Sequence, residues 1–298
     1  MISAAASMAA SQLHAAPSTG MFLALNNALI GNKVQWPDSA RLAARVGFGG
    51  IDLNLNAAMK EGLEPTRSLM ESLKLRLSFC SLPVNVTGAE DVYQRGLAGL
   101  EEIAKFVSGV GCGRMMMVLP TSSETPADEL RKMLKARLTA VAEILARNNC
   151  RLGLEPLGPL MFRTRAPHVF IWKTSDAVAF AKEIGPNIGI VLDSWHWHHS
   201  GSTTDDIIEA GKSRIVTIHL SDAAKMPPED VKDNQRLLPG EGVIDLVGFF
   251  RALKQIGYED GVSPEVLGRI PASMSAEEGA KLGLDASLAV MRKAGIAI

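Results

Sequence analysis

Short apolar runs and stretches of helical periodicity alternate along this chain, and that alternation restricts the fold more than any other feature of the sequence. MFLALN (21–26), GGIDLNL (49–55), RLSFCSLPV (76–84), RMMMVLP (114–120), RLGLEPL (151–157), IGIVLD (188–193), RIVTIHLSD (214–222) and DGVSPEVL (260–267) read as eight strands. Between nearly all of them lie amphipathic segments with helix start and stop signals. Examples are PDSARLAARVG (37–47), with Pro and Asp at its start, and TSDAVAFAKEIG (174–185), with a Ser/Asp start and a Gly stop. Longer ones are DELRKMLKARLTAVAEILARNN (128–149) and the closing EEGAKLGLDASLAVMRKAG (277–295). Strict β/α alternation implies parallel strands joined by right-handed crossovers. Eight such units in 298 residues predict an α/β chain folded as a single (β/α)8 TIM barrel over residues 20–298. A doubly wound open sheet is the runner-up, but no GxGxxG follows the first strand.

Composition narrows the partners. Lys plus Arg number 31 against 32 Asp plus Glu, a net charge of −1, so no global field attracts nucleic acid or an anionic membrane. No run of eighteen apolar residues predicts a membrane span. Cys80, Cys112 and Cys150 are odd in number and lack a CxxC spacing, which argues against a disulfide framework or a thiolate zinc site and suits small core residues in a reducing, cytoplasmic setting. Residues 1–19 are rich in Ala and Ser without Lys or Arg, a poor export signal; they read as an N-terminal arm, disordered or folded as a short packing helix.

Polar residues stand where four of the strands end. LGLEP offers Glu155, IVLDS Asp193, VTIHL His219 and SPEVL Glu265. A parallel barrel strand is buried on both faces, so an ionisable residue closing it needs a reason. Each has a plain alternative when taken alone: Asp193 a helix N-cap, either Glu half of a salt bridge, His219 a hydrogen-bonded core histidine. Strands five to eight are neighbours in a barrel, however, so three carboxylates and one imidazole converge on one mouth, and a divalent cation relieves their repulsion. An oxygen-rich set with one His favours Mn2+ or Mg2+, with Co2+ or Zn2+ as further options.

The motifs LEPL, LDSWH, HLSD, RLLPGEG and SPEVL, in this order, resemble those of the sugar phosphate isomerase/epimerase superfamily, the xylose isomerase-like TIM barrels. The resemblance runs over about residues 20–295 in element order, with its specific motifs in 152–267. It implies that Glu155, Asp193, His219 and Glu265 bind one metal ion and that Glu155 and Glu265 also move protons, which makes those two the catalytic pair. It implies that His196 touches substrate hydroxyls, that Arg236 holds a substrate oxygen, and that Asp222 orients a neighbour such as Arg236. The family often forms dimers or tetramers through its barrel helices, so a homo-dimer or tetramer is expected. Two departures matter. Leu157 stands where true xylose isomerases carry a Lys, which argues against a two-metal hydride shift. Strands one to four offer no histidine, which argues against the tri-zinc chemistry of endonuclease IV.

The expected reaction is metal-dependent isomerisation or epimerisation of a keto sugar or sugar derivative, by proton transfer through a metal-stabilised enediolate. Two alternatives use the same site: inosose-type dehydration, or a barrel that binds carbohydrate without turnover. Trp195 and His198 are further candidates for substrate contact, with Trp197, His199, Trp172 and Phe170 on the same wall at lower rank. Arg163, Arg165 and His168 suit surface solvation, or else an anionic group on the substrate. Asp52, Asn54 and Asn56 alternate along the second strand and are expected to share one face near the mouth, with Asn26 and Asn27 beside them. Met115, Met116 and Met117 read as core.

Overall fold

The computed structural model describes residues 20–297, so the expected N-terminal arm, 1–19, lies outside the described residues. Eight staves form the wall: β1 (Phe22–Leu25), β2 (Gly50–Ile51), β3 in two segments (Arg76–Leu77 and Cys80–Ser81), β4 (Arg114–Val118), β5 (Arg151–Glu155), β6 (Ile188–Asp193), β7 (Ile215–Leu220) and β8 (Gly261–Pro264). Every neighbouring pair is parallel, and the order runs β3–β2–β1–β8–β7–β6–β5–β4–β3. The two segments of β3 occupy the two ends of that order. They are one continuous piece of chain, with Ser78 N donating to Ile51 O and Leu53 N to Phe79 O between them, so the sheet closes on itself. The expected barrel is the observed one.

Eleven helices follow in chain order among the described residues: α1 (Asp38–Val46), α2 (Leu55–Glu61), α3 (Leu63–Leu73), α4 (Glu90–Gly109), α5 (Ala127–Arg147), α6 (Leu160–Arg163), α7 (Thr174–Ile184), α8 (Ser194–His199), α9 (Thr204–Ala210), α10 (Leu246–Gln255) and α11 (Ala276–Lys293). Their outer faces are polar and their inner stripes seal the barrel. In α5, Leu130, Leu134, Leu138, Val141 and Leu145 are buried at helical spacing, each worth about 2–3 kcal/mol of transfer free energy. Asp128 and Glu129 in its first turn and Arg147 in its last complement the helix dipole. A reciprocal capping box of Ser275 and Glu278 starts α11. None of the described helices is long and apolar enough to cross a membrane.

The second strand is shorter than its sequence suggests. Only Gly50–Ile51 pair as strand; Asn54 turns the chain into α2 by accepting from Ala57 N at 3.2 Å. Asp52, Asn54 and Asn56 therefore reach the mouth from a strand end, a helix cap and a first turn rather than from one strand face. Helices α2 and α3, between β2 and β3, complete a crossover that the hydrophobic pattern leaves blank. The three cysteines are buried and unpaired. Met115 is core, whereas Met116 packs with Phe79 and Val191 and lines the mouth.

Inside the barrel one layer is polar. Ser78 Oγ lies 3.3 Å from Thr217 Oγ1 and 3.4 Å from Ser263 Oγ, and all three residues are fully buried. Ser263 Oγ in turn donates to Asp52 Oδ1 at 2.6 Å. Buried hydroxyls cost little when each has a partner, so this chain of hydroxyls forms a satisfied floor under the mouth.

Candidate metal centre and barrel mouth

Strands β5 to β8 bring their terminal ionisable residues together. Glu155, Asp193, His219 and Glu265 each offer one donor atom, and these atoms lie within 4.8 Å of one another. Register explains the convergence: His219 is level with Asp193 on β6 and with Ser263 on β8, two residues before Glu265. His219 Nδ1 stands 2.8 Å from Glu155 Oε1, 3.5 Å from Glu265 Oε2 and 3.9 Å from Asp193 Oδ2. Phe79 packs against its ring, with centroids 5.2 Å apart.

Asp193 serves two structures at once. Its Oδ1 accepts from Trp195 N at 2.7 Å and His196 N at 3.2 Å, capping α8, while its Oδ2 accepts from Arg236 Nη1 at 2.8 Å. The N-cap reading and the quartet reading of this residue thus hold together. Arg236, 2% exposed, also donates through Nη1 to Glu265 Oε2 at 2.9 Å and through Nε and Nη2 to Asp233 Oδ1. Its Nη2 lies 3.3 Å from His196 Nε2, and its guanidinium sits 4.9 Å above the Trp195 ring.

The charges shape one another. Burial opposes ionisation of Asp193, yet Arg236, with His196 and His219 behind it, holds its carboxyl well below the usual carboxylate range. Burial likewise disfavours charge on His219, but Glu265 and Glu155 outweigh it and push the imidazole up to about 10. Burial pushes the Glu155 carboxyl up, with His219 working against it. His196 is drawn down to about 4 by burial, so its ring is neutral near pH 7.

These residues fit a divalent cation. Three carboxylates and one imidazole form a hard donor set. The His219 Nδ1 edge faces all three carboxylates, while Nε2 is buried with no hydrogen-bond partner among the described residues.

A cavity of about 750 Å3 opens over the quartet. Glu155, His219 and Glu265 are among its lining residues, as are Asn26, Trp36 and Asp52. Asp52 is half-buried, lines the cavity, and is held by Asn26 Nδ2 at 2.8 Å and by Ser263 Oγ. Burial pushes its carboxyl up to about 7. Asn26 is fixed in turn, because its Oδ1 accepts from Ala28 N.

Several sequence candidates lie elsewhere. Trp195 is 1% exposed and sits behind the quartet, between His196, His199 and Arg236, rather than in the mouth lining. His198 and His199 line a second cavity with Arg163. Trp197 is core, packed on Phe249 with Nε1 donating to Thr203 O. Arg163 lies flat on Trp172 and Arg165 on Phe162. Phe170 packs against Phe180, and His168 is exposed in a short antiparallel pair of strands, opposite Ser123. Asp222 does not touch Arg236 directly. Its carboxylate accepts from Ala223 N, Gly240 N, Gly242 N and Ile244 N, pinning the PGEG turn, and its backbone pairs with Leu237 beside Arg236. Sequence reasoning passes over Asp233, Trp36 and Phe79. Asp233 has a signal, an acid three residues before Arg236; the two aromatics have none.

Known proteins share this arrangement of chain. An inosose isomerase from Halalkalibacterium halodurans is 29% identical over 208 residues, 67% of this chain and 71% of the relative. One from Bacillus subtilis is 28% identical over 176 residues, 59% of this chain and 61% of its own length. A xylose isomerase domain protein from Alicyclobacillus acidocaldarius superposes with a TM-score of 0.85 at 28% identity, covering 92% of this chain and 99% of that one. A structure of the IOLI protein with a bound zinc atom gives 0.78 at 23% identity, over 92% and 99% of the two chains. The family described as xylose isomerase-like TIM barrel matches residues 40–293, and this chain belongs to it.

Proposed function

We propose that the chain is a metal-dependent isomerase or epimerase of a keto sugar or cyclitol, working by proton transfer next to a carbonyl. The observation that carries this reading is the quartet itself: four donors within 4.8 Å, two of them glutamates that open on a cavity large enough for a monosaccharide. The family membership and the inosose isomerase relatives support an enzyme acting on sugars. The zinc atom named for the IOLI structure supports a divalent ion. Mn2+ or Mg2+ suits the oxygen-rich donors, and the reducing setting of three unpaired cysteines suits the cytoplasm.

Glu155, Asp193, His219 and Glu265 would hold a divalent cation, which would supply polarisation of a carbonyl and stabilisation of the charge left when the neighbouring C–H loses its proton. Glu155 and Glu265, on β5 and at the end of β8, flank the other two donors, so each reaches the substrate from its own side. One carboxylate removes the proton and the other returns one. Return to the same carbon inverts it; return to the adjacent carbon moves the carbonyl; loss of a β-hydroxyl instead gives dehydration. Asp193 and His219 act chiefly as ligands. Arg236, enclosed by Asp193, Glu265 and Asp233, holds two of the carboxylates in place, and His196 completes that wall.

Solvent-deuterium exchange into a panel of ketoses and inososes tests the reading. Metal-loaded protein is expected to label one carbon of its substrate, and Glu155→Gln and Glu265→Gln to reduce labelling at least 100-fold, in line with general acid–base catalysis of about 10²–10⁴. Full labelling in both variants sinks the mechanism. Saturable sugar binding without label or turnover in the native chain points to a binding barrel instead.

A further inference from the structure

Part of the mouth's lining has no role in the chemistry above, yet it holds polar groups that are buried or half-buried. Asp52 shows its carboxylate to the cavity, anchored at both oxygens by Asn26 and Ser263. Each carboxylate oxygen carries a further lone pair that a cavity hydroxyl can use. Trp36 lines the same cavity and is only 8% exposed, and its indole Nε1–H has no acceptor among the described residues. A buried donor without a partner is costly and rare, so an acceptor supplied from the cavity accounts for it. Together the two groups offer one acceptor and one donor, the complement of a hydroxyl.

The same lining speaks against an anion. Among the described residues, none that lines this cavity is Lys or Arg. Arg163 and Arg165 are laid on Trp172 and Phe162, and Arg236 is spent on three carboxylates. A phosphate brought beside Asp52 meets a carboxylate with no Lys or Arg in the lining to offset it, and like charges at close range in a partly enclosed cavity repel strongly.

We propose that Asp52, with Trp36 in the same lining, is the specificity determinant of the mouth: it binds hydroxyls of the substrate beside the quartet and excludes a phosphorylated or carboxylated group there. The inference rests on the sugar reading above for the orientation of the substrate. Asn26 acts through Asp52, holding its carboxylate toward the cavity.

The test uses the metal-loaded chain and two variants, Asp52→Asn, which keeps the shape of the side chain, and Trp36→Phe, which removes the indole N–H, at about pH 8.5, where the Asp52 carboxyl is ionised. Bound metal per chain, measured first, certifies that each variant keeps the quartet. Exchange is then followed with a neutral ketose or inosose and with its phosphate ester. The native chain is expected to label the neutral compound and leave the ester unlabelled. Asp52→Asn is expected to raise KM about tenfold or more with a smaller change in kcat, the signature of lost ground-state binding, and Trp36→Phe to raise it severalfold. The inference is overturned if the ester is labelled as readily as the neutral compound, or if both variants keep KM within about twofold of native; in either case the proton-transfer reading survives. If the native chain labels nothing, calorimetric titration of the neutral polyol decides: tenfold weaker binding to Asp52→Asn upholds the specificity role while the reaction reading falls. Equal binding to both, or none, overturns it.

Discussion

Arg236 makes ionic contacts with three carboxylates, Asp193 and Asp233 at 2.8 Å and Glu265 at 2.9 Å. Its removal is predicted to be felt first as lost stability. Arg236→Met keeps the apolar stem on Trp195 but leaves Asp193, 2% exposed, without its cation, a change that costs about 3–5 kcal/mol when one partner of a buried pair is deleted. The pH dependence follows from the sign of the Asp193 shift. A carboxyl held below its unfolded value contributes stability that is present above about pH 4 and is lost as pH falls through the folded value. Denaturant unfolding of metal-free protein is therefore expected to show the largest gap between native and Arg236→Met near neutrality, narrowing as the solution is acidified. The quartet is legible in sequence because an ionisable residue closing a strand buried on both faces has few structural explanations, and four of them on successive strands have fewer. Trp36 and Phe79 are not legible, since an aromatic side chain near an apolar run looks alike whether it faces the core or a cavity. Trp195 shows the reverse error. Its neighbours are polar, but its ring is used as a floor for Arg236 and a stop for His199.

Among the elements, the segment from β7 to the PGEG turn depends on one carboxylate. Asp222 accepts four backbone N–H groups at 2.9–3.0 Å and is 1% exposed. Asp222→Ala strands those donors, and thermal and denaturant unfolding are expected to report a loss of about 3 kcal/mol or more, since each buried unsatisfied group costs about 1–3 kcal/mol. Gly242 belongs to the same turn: a Cβ there would stand 2.3 Å from Ala223 O and 2.5 Å from Asp222 Oδ1, so the PGEG glycine is required by close approach rather than by its φ. Strands and long helices are legible because periodicity records burial. What periodicity does not record is where a polar side chain turns the backbone, and Asn54 ends β2 through such a local bond. Short helices such as α8 escape for the same reason: Asp193 caps Ser194–His199, and six residues hold too little pattern to announce it.

Across the whole barrel, the ligands of the proposed ion come from four separate staves, so the ion cross-links the half of the wall made by β5 to β8. Binding to the folded chain alone stabilises it by mass action, about 2.7 kcal/mol at a free concentration 100 times Kd. The unfolding temperature is thus expected to rise by several degrees with added Mn2+ and to fall back with chelator. Protons compete with the metal for His219, whose imidazole is pushed up to about 10, so affinity measured by titration is expected to increase from pH 6 toward pH 9. An affinity that is flat across this range, with no thermal shift, removes the quartet from metal binding. The divided use of Asp193 then has a mechanical side. One oxygen is tied to the first turn of α8 and the other to the charge at the centre of the mouth. The start of α8 and the placement of Arg236 are therefore fastened to one carboxylate, so a substitution at Asp193 is expected to loosen the helix that carries the histidines together with the guanidinium behind the mouth.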